Sequence, residues 1–255
     1  MNWAASQLVP SDAPRILIIL HQENSIPGRV GWMLKQRGFK LDIRRPRFGD
    51  SLPQTMDGHA GAVVFGGPMS ANDKEAYIKR EIDWISVPLR DDKPFLGICL
   101  GGQMLAKQLG GHVTSRVDDH VEIGYYPIEA TNAGQSLLDW PSKVYQWHRE
   151  GFSLPKGAEL LATGASFANQ AMRYGNNAYG IQFHPEVTMH MMHRWTVKAS
   201  ERLKLPGARS KRDHFQGRYI YDPAVEVWLD AFLDLWVGYG NDYLTHDGQV
   251  SQIAK

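Results

Sequence analysis

Apolar residues along this chain fall into two kinds of run. Short blocks rich in aliphatic and β-branched residues, RILIIL (15–20), LDIRR (41–45), GAVVF (61–65) and PFLGIC (94–99), read as strands, the most apolar of them buried. Between them, apolar positions recur at helical spacing. Val30, Met33 and Leu34 mark a helix that Gly38 stops, and Ala76, Tyr77, Ile82 and Trp84 mark another over roughly 73–85. Residues 51–59 read as a loop, and GGQMLAKQLGG (101–111) continues the fourth strand directly into a helix. Apolar strands alternating with helices predict an α/β fold, with an open, mostly parallel sheet flanked by helices.

After Gly110 the pattern changes. HVTS, VEIGYYPIEA, KVYQWH, AELLATG, NQAMRYG and AYGIQFH are short, strand-like and separated by turn residues, which predicts a mixed or antiparallel extension of the same sheet. Two helices follow. One runs from Thr188 to about 203. The other is expected to begin at Asp222-Pro223, an N-cap with proline at the first helical position. GARSKRDHFQGR (207–218), between them, reads as an exposed basic loop. Residues 1–14 read as an arm, 15–240 as a single domain, and 241–255 as a frayed tail.

Composition narrows the function classes. The chain has 255 residues, 43% hydrophobic and 22% charged, enough apolar material for a sizeable core. Lys plus Arg number 28 against 27 acidic residues, so the net charge of +1 creates no general field for nucleic acid or anionic lipid. The longest strongly apolar run, 16–20, is far too short to cross a bilayer. Neither nucleic acid nor membrane is expected as a partner. The one cysteine excludes an internal disulfide and a multi-cysteine zinc site, and fits a reducing compartment. The first fifteen residues lack a basic start followed by an apolar stretch, so the expected location is cytoplasmic. His190 and His193 share a helix face, but no third ligand is specified, and neither a metal nor any other cofactor is expected.

The most informative segment is GICLGGQ (97–103). A buried strand runs into a glycine-rich helix start with Cys99 at the corner, an elbow that presents a side chain above the carboxyl end of a sheet. Gly97 and Gly101 allow close approach of neighbouring segments. The helix N-terminus favours thiolate, the reactive form. Taken alone, the segment also suits a small buried cysteine. A base is needed, and IQFHPE (181–186) offers His184 at a strand end with Glu186 two residues on, a carboxylate able to fix the tautomer of the ring. A locally hydrogen-bonded histidine with a solvated glutamate fits the same residues.

GICLGGQ and QFHPE together resemble the class I glutamine amidotransferases, which carry a G-x-C-x-G-x-Q elbow and a downstream F-H-P-E in this order. The similarity spans roughly 15–190, including GGPMS and VEIGYYPIE, and is strongest to the glutaminase domain of GMP synthase and to stand-alone proteins like it. The resemblance implies a flavodoxin-like fold. It makes Cys99 the nucleophile, His184 the general base and acid, and Glu186 the orienting carboxylate. It assigns the oxyanion hole to backbone N–H groups of Gly67, preferred over Gly66, and of Leu100. It places Gln103 and the backbone around Tyr125 and Tyr126 at the amino-acid end of the substrate. Trp147-His148-Arg149-Glu150 resembles a His-x-Asp element, with Glu150 where that branch has aspartate, and puts His148 on the wall of the cleft.

The implied activity is cleavage of the γ-amide of glutamine through a γ-glutamyl thioester, releasing ammonia. No glycine-rich, serine-containing nucleotide loop and no Walker motif occurs, so the chain is not expected to make GMP alone and would pass ammonia to a separate synthetase. A stand-alone hydrolase of γ-glutamyl peptides or amides needs the same acyl chemistry and stays open. A non-catalytic binding module is disfavoured by the intact Cys99, His184 and Glu186. Val225, Trp228, Leu229, Phe232, Leu233, Leu235 and Trp236 on the last helix suit burial against the domain, with a homodimer interface as the other use.

Overall fold

The computed structural model describes residues 12–238. Most of the expected arm and all of the expected tail lie outside them. Strand β1 (Arg15–Ile19) is followed by α1 (Gly28–Gln36), β2 (Lys40–Arg44), β3 (Gly61–Val64), α2 (Ala76–Trp84), α3 (Ser86–Arg90), β4 (Phe95–Ile98) and α4 (Leu100–Gln108). Then come β5 (Val113–Ser115), β6 (Glu122–Pro127), β7 (Glu129–Ala130), α5 (Asn132–Gln135), β8 (Lys143–His148), β9 (Glu150–Phe152), β10 (Ala158–Thr163), β11 (Asn169–Tyr174) and β12 (Ala178–Ile181). Helices α6 (Met189–Lys198) and α7 (Lys211–Gly238) complete the described chain.

The main sheet has the order β2-β1-β3-β4-β12-β11-β10-β7. Pairs from β2 to β12 are parallel, and those from β12 to β7 antiparallel. The parallel half is flavodoxin-like, and the antiparallel half is the expected extension. The extension is smaller than expected, because β6 pairs with β8 and β5 with β9 in two separate ribbons. A short strand records its own pleat but not its partner, so the sequence pattern does not distinguish one sheet from three.

Alternation along β1 explains the core. Ile16, Ile18 and Leu20 face one layer with α1 and α7, while Leu17 and Ile19 face the other with α2 and α4. Burying both faces is what makes β1 and β3 continuous apolar runs. Helix α7 closes the first layer with Val225, Trp228, Leu229, Phe232, Leu233 and Trp236, as the apolar face predicts. Leu235 is only partly buried.

The start of α7 corrects the sequence reading. The helix begins at Lys211, so most of the expected basic loop is helical and Pro223 lies inside the helix. Ser210 and Asp213 form a reciprocal cap: the Asp213 carboxylate accepts from the Ser210 N–H at 3.1 Å and the Ser210 hydroxyl from the Asp213 N–H at 3.3 Å. Asp222 is no N-cap. It is buried and takes ion pairs from Arg29 and, at 3.2 Å, from Arg218, with the Tyr125 hydroxyl donating to its other oxygen. The expected exposed loop is also partly packed, since Arg218 donates to the Val187 carbonyl and Phe215 packs beside the cluster of Tyr125, Tyr145, Val187, Met191 and Met192. Among the described residues no helix is long and apolar enough to cross a membrane, and no group of three or more His, Cys, Asp or Glu could hold a metal ion.

Candidate active site

Cys99 follows β4 at the carboxyl edge of the sheet with φ 51° and ψ −104°, a backbone conformation few side chains adopt. Neighbouring hydrogen bonds hold it there: the Cys99 N–H donates to the Ile181 carbonyl at 2.8 Å, and the Gln103 N–H to the Cys99 carbonyl at 2.9 Å. The elbow also depends on glycine. A Cβ on Gly97 would overlap the Gly101 backbone, and one on Gly101 would overlap the Val64 carbonyl, so α4 can seat against β3 and β4 only without those side chains. Leu100 is the first residue of α4, and its N–H has no intrahelical carbonyl to meet.

His184 and Glu186 follow β12, the strand paired with β4. His184 Nδ1 lies 2.7 Å from Glu186 Oε1, both side chains buried. The His184 N–H donates to the Tyr145 carbonyl at 2.8 Å, and Trp195 packs edge-on to the ring at 5.1 Å. With Nδ1 committed to Glu186, His184 Nε2 is left without a hydrogen bond among the described residues. Burial alone would lower the pKa of this histidine. The charge of Glu186, with smaller contributions from neighbouring Cys99, outweighs burial and pushes it up to about 10. Gly66, just past β3, faces both groups: a Cβ there would lie 2.8 Å from His184 Cε1 and 3.4 Å from Cys99 Cβ.

A cleft of about 350 Å³ opens over His184, lined among others by Gly66, Gly67, Trp147, Trp195, Arg194 and Arg202. His190 lines it too, while the His193 ring lies 6.4 Å from that of Phe215. Cys99, His184, Glu186, Gly66, Gly67 and Leu100, distant in sequence, thus gather at one edge of the sheet.

The other expected residues are placed differently. Gln103 is buried, its amide donating to the Glu150 carbonyl at 2.8 Å and to Gln182 Oε1 at 3.3 Å. His148 does not line the cleft. Its nitrogens sit 3.0 Å from the Glu150 carbonyl and 3.0 Å from Glu122 Oε2, and alternation along β8 puts Trp147 on the cleft side. The Tyr125 and Tyr126 side chains are also buried away from it, bonded to Asp222 and to the Gly207 carbonyl. A side chain's burial depends on what packs over its strand, which a tyrosine in a strand pattern does not announce.

Two groups of residues escape the sequence reading. Gln182 donates from Nε2 toward Cys99 Sγ at 3.6 Å; it stands inside QFHPE, where its place in the motif was the available signal. His21 and Glu81 form a buried pair beneath Gly66, with no local signature in the sequence.

Comparison with known proteins bears on the family of the chain. The family model described as glutamine amidotransferase class-I matches residues 24–199. The chain is 30% identical to the glutamine amidotransferase-like protein YfeJ of Salmonella typhimurium over 69% of this chain and 77% of that protein. It is 34% identical to the GMP synthase of Aeropyrum pernix over 69% of this chain, and 34% identical to that of Porphyromonas gingivalis over 54%. These two matches span only 33% and 27% of the longer enzymes. The crystal structure of a glutamine amidotransferase from Thermotoga maritima superposes with a TM-score of 0.79 at 30% identity, covering 88% of this chain and 98% of that one. Fold, family model and relatives agree: this chain belongs to the class I glutamine amidotransferases.

Proposed function

We propose that the chain is a cysteine hydrolase that cleaves the γ-amide of glutamine through a γ-glutamyl thioester. Cys99 Sγ forms a bond to the amide carbon, and the tetrahedral oxyanion rests on the N–H groups of Gly67 and Leu100. His184 carries the proton from the thiol to the departing nitrogen, the C–N bond breaks, and ammonia leaves. Water then attacks the thioester, giving glutamate and the free thiol. Glu186 keeps Nδ1 protonated and stabilises the imidazolium. The observation that carries this reading is the buried 2.7 Å Glu186–His184 contact, which leaves Nε2 unbonded beside an elbow cysteine.

The test is ammonia release from glutamine together with labelling by a glutamine-like electrophile. One label on Cys99 and loss of turnover in Cys99→Ala are expected. Full hydrolysis by folded Cys99→Ala would refute the mechanism.

A second reading, hydrolysis of γ-glutamyl peptides or amides, draws support from the cleft. Its Trp147, Trp195, Arg194, Lys198 and Arg202 could receive a leaving group larger than ammonia and negatively charged. The kcat/KM ratio of a γ-glutamyl dipeptide to glutamine separates the two. A ratio below one, with stimulation by a cell extract, supports a glutaminase that feeds a separate synthetase; a ratio well above one favours the hydrolase.

A further inference from the structure

One buried pair touches the Gly66-Gly67 loop from below. His21, two residues past β1, has 0% of its surface exposed, and Glu81 of α2 has 1%. His21 Nε2 lies 2.7 Å from Glu81 Oε2, and His21 Nδ1 lies 3.2 Å from the Gly66 carbonyl oxygen. Both ring nitrogens therefore face acceptors. A bond to the carbonyl requires a proton on Nδ1, and the contact with Glu81 requires a second proton, on Nε2 or on the carboxyl group. Either distribution leaves Nδ1–H donating to Gly66.

That bond fixes a peptide plane. The Gly66 carbonyl and the Gly67 N–H belong to the same peptide unit, no cis bond occurs among the described residues, and in a trans unit the two point in opposite directions. With the carbonyl held toward buried His21, the Gly67 N–H turns the other way. Gly67 lines the cleft and His21 does not. Among the described residues the Gly67 N–H has no acceptor. A peptide between two glycines has low barriers to turning over, so its orientation needs an external hold. Gly67 also sits tight on that hold, since a Cβ on it would come within 3.0 Å of His21 Cβ.

We propose that His21, backed by Glu81, is a positioning residue that locks the Gly66–Gly67 peptide with its N–H facing the cleft, so that the oxyanion hole is formed before substrate arrives. The inference rests on the acyl-transfer reading above. It implies that the isolated chain turns over without a second protein to assemble the loop.

The test compares His21→Leu, which keeps apolar volume and removes the donor, with His21→Asn, whose amide nitrogen can stand where Nδ1 stood. Removing one oxyanion donor typically costs about 10²–10³-fold in kcat. His21→Leu should show a loss of that order with KM within about twofold. Its rate of alkylation by iodoacetamide, a displacement that forms no oxyanion, should stay at the wild-type value. His21→Asn should recover at least about tenfold of the loss. Wild-type kcat in folded His21→Leu, or alkylation falling in parallel with kcat, would overturn the proposal. If the wild type is alkylated but releases no ammonia or amine from glutamine or a γ-glutamyl amide, the activity reading fails instead. Crystallography of either variant that folds then decides the positioning claim. A Gly66 carbonyl that turns over in His21→Leu, or that accepts from the new amide in His21→Asn, supports it; a carbonyl unmoved in His21→Leu, or ignored by the amide, refutes it.

Discussion

Replacing Glu186 with glutamine keeps the shape of the side chain and removes the charge that holds the proton on His184. The two groups are 2.7 Å apart and buried. Unit charges centred roughly 4 Å apart, in an effective dielectric of about 20, interact by about 4 kcal/mol. At 1.36 kcal/mol per pKa unit that is about 3 units. His184, raised to about 10 in the native protein, should fall to about 7 in the variant. The sign follows from the role of the ring. The imidazolium is the acid that protonates the departing nitrogen, so activity is lost as pH rises through the His184 pKa. The alkaline limb of kcat/KM, which reports the free enzyme, should therefore lie near pH 10 in the wild type and near pH 7 in Glu186→Gln. At pH 8 only about a tenth of the variant would hold the proton, a loss of about tenfold before any misorientation of the ring is added. The assay is ammonia release from glutamine between pH 6 and 10.5, on protein shown to be folded. An alkaline limb at the same pH in both proteins would refute the electrostatic argument.

Other expectations follow from the same geometry. His184→Ala removes the proton carrier itself and should lose more activity at pH 7 than Glu186→Gln; the reverse order would reassign the roles. Linkage gives a stability signature: because the folded pKa of His184 is raised above 6.5, its contribution is fully present below pH 6.5 and is lost as pH rises through about 10, which urea titrations across that range should record as a falling midpoint. Gly66→Ala puts a methyl group 2.8 Å from His184 Cε1 and should lower kcat by more than about tenfold, measured on protein shown to be folded. Trp228→Ala empties a site packed against Phe183 and Phe232 and should cost about 4 kcal/mol in chemical denaturation.

Much of this protein was legible in its sequence because the signals are local. The runs at 16–20, 61–65 and 94–99 carry no charged or polar side chain other than the cysteine, as strands covered on both faces require, and β1, β3 and β4 lie there. The Cys99 elbow is local too, since glycine at 97 and 101 states that a backbone passes close by without saying whose. The Ser210–Asp213 cap was equally local, but proline at 223 gave a stronger and misleading start signal. Proline is found inside α7 because the flanking turns are held by tertiary contacts, His214 to Tyr145 on one side and Trp228 in the core on the other.

Other features had no local trace. The ribbons β5–β9 and β6–β8 depend on strand partners far along the chain. The inward turn of His148 depends on Glu122, and the hold on Gly66 depends on a histidine and a glutamate 60 residues apart. In the sequence Glu81 is one charge among the polar positions of α2, and His21 is a polar residue ending an apolar run. A periodic pattern reports which face of an element is buried, because burial repeats with the element's own geometry. Which buried polar group meets which is set by where the sheet brings separate elements together, and only the tertiary structure decides that.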